Sequence, residues 1–172
     1  MSFLIISAIF AMWLYLGMPG SKPGPPVLGN AVARDADTLA IGPETFRLFG
    51  VDALEFHQTC IRDGETKPWP CGREAAKALA AHIRGRTVSC APQGKDRYDR
   101  TLARCGIAGG DIAEWLAGNG WAFDGARYGI GRYAVFEREA ANAKRGAWSG
   151  SFTKPWAWRP DHPIPGRSAP TP

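Results

Sequence analysis

Short runs of alternating hydrophobic and polar residues between positions 27 and 144 predict strands, with a few helical runs among them. The predicted strands are 27–33, 38–41, 45–51, 86–90 and 101–107, and the predicted helices are 72–84, 111–116 and 133–144. In the first helix, Ala75, Leu79 and Ile83 recur at helical spacing, and Gly85 stands where a C-terminal cap belongs. Five short strands with an inserted helix suit an OB-type barrel. We therefore expect an α+β fold, a five-stranded OB-type β-barrel with about three helices.

The N-terminal stretch Ser2–Met18 is uncharged and nearly all apolar. Seventeen helical residues rise ~26 Å, just short of a ~30 Å hydrocarbon core. No Lys or Arg precedes Lys22, and cleavage after Met18 would place Pro19 next, which is unfavourable for a secretory signal. We favour an uncleaved membrane anchor over a cleaved signal, and both over a buried soluble helix.

Prolines mark the ends of the folded domain. Four of the 14 lie in 19–30 and six in 155–172, a density that supports neither a helix nor a strand ladder. We expect residues 1–18 to form the anchor or signal, 19–30 a Pro/Gly-rich linker, 31–159 one domain and 160–172 a Pro-rich tail.

Composition limits the class of protein. Of 172 residues, 45% are hydrophobic and 22% charged, which allows a sizeable core and excludes wholesale disorder. The net charge is +5, yet residues 31–154 carry 18 basic and 15 acidic residues, a balance of only +3. An anionic partner would therefore be bound by a local cluster rather than by a broad cationic surface.

The four cysteines show no zinc-ligand spacing, and their even number behind an export-like segment suggests two disulfides. Three pairings are possible; we favour Cys60–Cys71 with Cys90–Cys105, the shorter loops, over four reduced thiols. This predicts an extracytoplasmic protein, periplasmic or secreted. The basic flanks Lys22 and Arg34 weakly favour the opposite orientation of an anchor.

Carboxylates and arginines group at predicted strand ends. Asp37 begins one strand and Asp52 follows the next, and two carboxylates plus a backbone carbonyl suit a hard cation such as Ca²⁺. Arg47 and Arg100 could fork onto one phosphate, and Glu55 could orient or deprotonate a water. These are the parts needed to hydrolyse a phosphodiester.

Each group also has a simpler interpretation. Aspartates near a turn usually accept backbone N–H bonds, and Arg47 could simply pair with Glu44 or with a cross-strand acid. The stretch 96–100 could be a solvated loop with weak ion pairs. It is the joint order and spacing of the groups that favours a site.

The sequence resembles the staphylococcal nuclease (thermonuclease) family of OB-fold nucleases from about Val32 to Arg159. The resemblance is carried by six stretches: 35–38 (DADT), 46–55 (FRLFGVDALE), 71–75 (CGREA), 96–100 (DRYDR), 119–122 (NGWA) and 144–148 (KRGAW). Their combination is specific, whereas any one alone is not.

The resemblance implies a role for each matching position. Asp37 and Asp52 match the direct calcium ligands, Ala53 a ligand through its carbonyl, and Asp35 an acid at the outer edge of the metal site. The remaining matches are Arg47 and Arg100 as phosphate-binding arginines, Glu55 as the carboxylate that handles the attacking water, and Tyr98 and Tyr128 as aromatic residues that line the nucleotide site.

Three positions depart from the family pattern. Leu54 stands where Pro is usual, so the loop that aims Glu55 loses some rigidity. Ala36 replaces a Gly in the acidic hairpin, and Asp99 replaces a Gly beside Arg100, with which it could pair.

The resemblance implies Ca²⁺-dependent endo- and exonucleolytic cleavage of DNA and RNA that leaves 3′-phosphates. With the other features, it predicts a nuclease that prefers single strands and works as a monomer tethered through its N-terminal segment. The first alternative is a non-catalytic OB-fold module that binds single-stranded nucleic acid. The second is a membrane-bound interaction domain that uses its Pro-rich tail.

Overall fold

A computed structural model describes residues 24–125 and 129–163. Within them no helix is long and apolar enough to cross a bilayer. The apolar stretch 2–18, Tyr128 and most of the Pro-rich tail lie outside the described residues, so the anchor remains a prediction.

Ten strands and four α-helices form the described chain. The strands are β1 Val27–Ala33, β2 Thr38–Ile41, β3 Glu44–Leu48, β4 Val51–Ala53, β5 Ile61–Arg62, β6 Thr87–Lys95, β7 Thr101–Ile107, β8 Gly110–Asp111, β9 Ala122–Asp124 and β10 Gly150–Ser151. The helices are α1 Cys71–Ile83, α2 Ile112–Gly118, α3 Ala134–Asn142 and α4 Pro155–Trp158, with 3-10 turns at Gly146–Ser149 and Arg159–Asp161.

Five strands close into a barrel. They follow one another in the order β3-β2-β1-β6-β7, and β3 also pairs with β7 in parallel, which removes both sheet edges. The five strands are those predicted from the hydrophobic pattern, so the α+β OB-type barrel is confirmed.

The helices pack on the barrel through the faces that the sequence pattern marked. Helix α1 buries Ala75, Leu79 and Ile83. Asp111 caps α2, because its side chain accepts the backbone N–H of Ala113. Gly85, just after α1, has a φ of 69°, a conformation that glycine adopts at low cost.

The third predicted strand, 45–51, is interrupted. The barrel strand β3 ends at Leu48, and Gly50, with a φ of 86°, turns the chain into the separate strand β4. Asp52 therefore lies within β4, paired with Phe123 of β9, rather than after the barrel strand. No polar residue between Leu48 and Val51 marks this break in the sequence.

Two disulfides tie the domain together, Cys60–Cys71 and Cys90–Cys105. The pairing predicted from loop length is confirmed. The first joins the loop after β4 to the start of α1. The second links β6 to β7, where the two cysteines are direct cross-strand partners.

The C-terminal segment, defined here as residues 153–159, folds back onto the domain. Lys154 forms an ion pair with Glu137 and lies 4.0 Å from the ring centre of Phe123 and 4.7 Å from that of Trp148. Pro155 behind it is buried. The segment thereby brings Arg159 beside Asp52 of β4.

Candidate active site

Asp37 and Arg47 meet because the hairpin β2–β3 places them side by side. Thr38 is the register partner of Arg47, so Asp37 lies one residue from that pair. Arg47 Nη1 donates to Asp37 Oδ1 at 2.5 Å. Arg47 thus takes a cross-strand acid as partner, and that acid belongs to the candidate site.

Asp52 approaches the same guanidinium from β4. Arg47 Nη2 donates to Asp52 Oδ1 at 2.9 Å, so Arg47 bridges both aspartates. The backbone N–H of Ala53 donates to Asp37 Oδ2 at 3.2 Å, and Asp35 Oδ1 accepts the N–H of Asp37 at 3.0 Å. The four predicted metal-site residues therefore lie together around Arg47.

Burial raises the pKa of Asp37 to about 7, against the lowering effect of Arg47 and with further raising by Asp35 and Asp52. The pKa of Arg47 is raised as well, since the three aspartates outweigh its own burial. Both shifts describe a buried site with more negative than positive charge.

Glu55 is held by an arginine that sequence reasoning missed. Arg159 Nη1 donates to Glu55 Oε1 at 2.7 Å, and the same guanidinium forks onto Asp52, at 3.0 Å to Oδ1 and 2.6 Å to Oδ2. The pKa of Arg159 is raised, mainly by its hydrogen bond to Asp52.

Gln58 is a second residue that sequence reasoning missed. Its side chain is fully buried; its Oε1 accepts the N–H of Glu55 at 3.1 Å, and its Nε2 donates to the carbonyl of Thr153 at 2.5 Å. Gln58 therefore joins the Glu55 loop to the C-terminal segment.

Arg100 and Tyr98 lie on the loop between β6 and β7 and form a separate group. Arg100 donates through Nε and Nη2 to Asp96 Oδ2, both at 2.7 Å, and its guanidinium lies 5.2 Å from the ring centre of Tyr98. Arg100 precedes Thr101, the register partner of Phe46 on β3. Arg100 therefore lies next to the strand that carries Arg47. Among the described residues, no contact joins Arg100 to Asp37 or Asp52.

The three departures from the family pattern have structural outcomes. Asp99 pairs with Lys95 at 2.7 Å and not with Arg100, so the expected Asp99–Arg100 pair is wrong. Asp99 adopts a φ of 62°, the conformation in which a Gly would be relaxed. Ala36 and Leu54 are each 2% exposed and pack in the core.

The charges of the site favour a divalent cation. The carboxylate cluster, defined as Asp35, Asp37, Asp52 and Glu55, carries −4 when all four groups are ionised, and Arg47 and Arg159 supply +2, which leaves −2. Within residues 24–125 and 129–163, no three His, Cys, Asp or Glu side chains form a ready metal-binding group. A cation would therefore need backbone oxygen or water beside the two buried aspartates, a donor set that suits Ca²⁺.

Comparisons with known proteins identify the family of the chain. The family model described as staphylococcal nuclease homologue matches residues 45–150. Succinoglycan biosynthesis protein ExoI of Rhizobium meliloti (strain 1021) is 34% identical over 145 residues, 83% of this chain and 74% of that protein. A probable endonuclease of Schizophyllum commune is 35% identical over 97 residues, 46% of this chain and 33% of that protein. A probable staphylococcal-like nuclease of Oryza sativa subsp. japonica is 33% identical over 117 residues, 67% of this chain and 28% of that protein. The chain belongs to the staphylococcal nuclease homologue family.

Proposed function

We propose that the chain is a Ca²⁺-dependent nuclease that hydrolyses phosphodiester bonds of DNA and RNA with little sequence specificity. The observation that carries this proposal is the convergence of Asp37, Arg47, Asp52 and Glu55, from a hairpin, a separate strand and a loop, at one place. Its family membership, and the relatives named as nucleases, support the same reaction.

The phosphate would be gripped by two arginines that other residues hold in place. Arg47 is fixed between Asp37 and Asp52, and Arg100 is oriented by Asp96. Guanidinium groups fixed in this way match phosphate oxygens and stabilise the charge that develops on them. Because this contact is with the backbone of the nucleic acid, it carries no base preference.

Glu55 would orient the attacking water and accept its proton. Asp37, Asp52 and the carbonyl of Ala53 would hold Ca²⁺, with Asp35 at the outer edge. When bound, Ca²⁺ would supply positive charge to the phosphate. Cleavage that leaves 3′-phosphate ends is the product chemistry that the family resemblance implies.

Tyr98 is a candidate platform for a base. Its side chain is 40% exposed, and the guanidinium groups of Arg97 and Arg100 lie 4.9 and 5.2 Å from its ring centre. Stacking on such a ring needs unpaired bases, which supports a preference for single strands. Tyr128 stays a predicted second platform, outside the described residues.

The two disulfides support an extracytoplasmic location, periplasmic or secreted, where oxidising conditions preserve them. We propose that the protein acts there as a monomer, tethered through residues 2–18.

Cleavage of single-stranded DNA by the full chain, with Ca²⁺ and with EGTA, tests the proposal. We expect cleavage only with Ca²⁺, and a loss of at least about 100-fold in kcat for Glu55→Gln, because a positioned general base contributes at least that factor. Glu65→Gln, a matched change at an exposed glutamate, should cleave like wild type.

Folded wild-type protein that binds single strands but cuts nothing would contradict the proposal and leave the binding module in its place. Protein without any affinity for nucleic acid would favour the membrane-bound interaction domain instead.

A further inference from the structure

The Arg159 guanidinium takes up most of the coordinating capacity of Asp52. A carboxylate offers about four lone-pair sites. Arg159 uses one on each oxygen of Asp52, at 3.0 and 2.6 Å, and Arg47 uses a third at 2.9 Å. Direct binding of a cation to Asp52 therefore competes with Arg159.

Of the two arginines on Asp52, Arg159 is the one that is free to leave. The Arg47 side chain is 17% exposed and is held between two aspartates on a barrel strand. The Arg159 side chain is 39% exposed and extends from the first residue of a 3-10 turn. Its departure breaks the ion pairs with Asp52 and Glu55 and no contact within the barrel sheet.

The backbone that carries Arg159 has anchors of its own. Gln58 holds the carbonyl of Thr153, Lys154 lies among aromatic rings and pairs with Glu137, and Pro155 is buried. The Arg159 side chain can therefore swing away while the C-terminal segment stays docked.

Glu55 is released by the same movement. Arg159 Nη1 contacts both Glu55 Oε1, at 2.7 Å, and Asp52 Oδ1. One side chain thus covers both the proposed cation ligand and the proposed base.

We propose that Arg159 is a built-in competitor for the cation, so that a divalent cation binds Asp52 only when Arg159 releases it. This inference rests on the cation dependence in the proposed function. Removing the Arg159 guanidinium should therefore raise the affinity of the site for the cation by the same factor through which Arg159 lowers it.

Calorimetric titration of the full chain with Ca²⁺, in the absence of nucleic acid, measures this affinity directly. We expect Arg159→Gln to lower the Kd for Ca²⁺ by roughly 5- to 150-fold, the usual range of such couplings. Arg138→Gln removes an equal charge from an exposed position on α3 and should leave the Kd within about two-fold of wild type, since salt screens distant surface charges.

Arg159→Lys separates competition from folding. It keeps the charge but cannot fork onto both oxygens of Asp52, so we expect an intermediate Kd. Thermal unfolding of each variant shows whether it is folded, and Arg159→Lys replaces Arg159→Gln in the comparison if the latter is not.

Equal or weaker Ca²⁺ binding by folded Arg159→Gln, or no binding by either protein, would overturn the inference. Binding by Arg159→Gln alone would support it in its strongest form. Cleavage assays on the same proteins distinguish the two proposals. Cleavage by wild type together with an unchanged Kd for Ca²⁺ in Arg159→Gln would contradict only the competition. Tighter Ca²⁺ binding by Arg159→Gln without cleavage by either protein would contradict only the nuclease activity.

Discussion

Gln58 shows how one buried side chain fixes the position of another residue's backbone. Its amide accepts the N–H of Glu55 and donates to the carbonyl of Thr153, so both of its ends are used in a site that water does not reach. Buried polar groups that lose their partner cost the full desolvation penalty. Gln58 is therefore a positioning residue for Glu55.

Replacing Gln58 by Leu should leave the Glu55 N–H and the Thr153 carbonyl unpaired. We expect a loss of about 1–3 kcal/mol in the free energy of unfolding, measured by urea denaturation, together with a lower kcat. Gln93→Leu is the matched control, because Gln93 bonds to the carbonyls of its neighbours Ala91 and Pro92. A variant at position 58 as stable and active as this control would remove the positioning role.

At this scale the sequence predicts Asp37, Arg47 and Asp52 as site residues, from the joint spacing of acids and arginines and from the resemblance, and the structure brings the three together. It does not identify Gln58 or Arg159. A glutamine in a polar loop reads as exposed, and the partners of Arg159 lie more than 100 positions away in the chain. The one available signal was the run of tryptophans near Arg159, which indicates a segment that folds back.

Among the elements, the contact between α1 and the Glu55 loop is the closest. An added Cβ at Gly72 would lie 1.7 Å from the carbonyl oxygen of Glu55, and the Gly72 N–H donates to the carbonyl of Gln58 at 3.1 Å. The Cys60–Cys71 disulfide holds the same corner. The start of α1 thus packs directly against the Glu55 loop.

Gly72→Ala should push Glu55 away from the site. Alanine favours helices by up to about 1 kcal/mol over glycine, so helix propensity alone would make this variant more stable. We expect the opposite, a loss of about 1–3 kcal/mol from overpacking, with reduced cleavage. In Gly110→Ala the new methyl group would be 3.5 Å from its nearest neighbour, the Ile107 carbonyl, and that protein should behave like wild type.

The barrel strands could be predicted from the sequence because each is a short apolar run between turn residues. The division of 45–51 into β3 and β4 could not, since Gly50 interrupts the run without a polar residue. That break places Asp52 in β4. A small error in the predicted end of one strand therefore becomes a larger error in the predicted position of a site residue.

For the whole molecule, pH acts on stability through the contact between α1 and α2. His82 stacks on Trp115 with ring centres 3.9 Å apart, and burial, helped by the charge of Arg86, lowers its pKa below 6.5. Below pH 6.5 the unfolded chain therefore binds a proton more readily than the folded one. The contribution of this contact is complete above that pH and is lost as the pH falls through the folded pKa.

We expect the free energy of unfolding of wild type, taken relative to that of His82→Phe, to fall between pH 7 and pH 5, as measured by urea denaturation of both proteins at each pH. Arg86→Gln removes the smaller cause of the shift and should give an intermediate slope. Identical slopes in all three proteins would show that His82 does not contribute to acid sensitivity.

The closed barrel and the disulfide pairing could be anticipated at this scale, from the resemblance and from loop lengths. The two long-range contacts of the Glu55 loop could not be anticipated. They join Gln58 to Thr153 across 95 positions and Glu55 to Arg159 across 104. No local pattern encodes contacts of that range.

These two long-range contacts also set the order in which the parts of the site can form during synthesis. A ribosome releases the strands of the barrel long before it reaches Thr153, so a nascent chain has its aspartates but neither the partner of Gln58 nor Arg159. The site is then assembled last, when the end of the domain has left the ribosome. A chain that stalls earlier therefore has a Glu55 loop without the Thr153 carbonyl that holds Gln58, and an Asp52 without the arginine that competes for it.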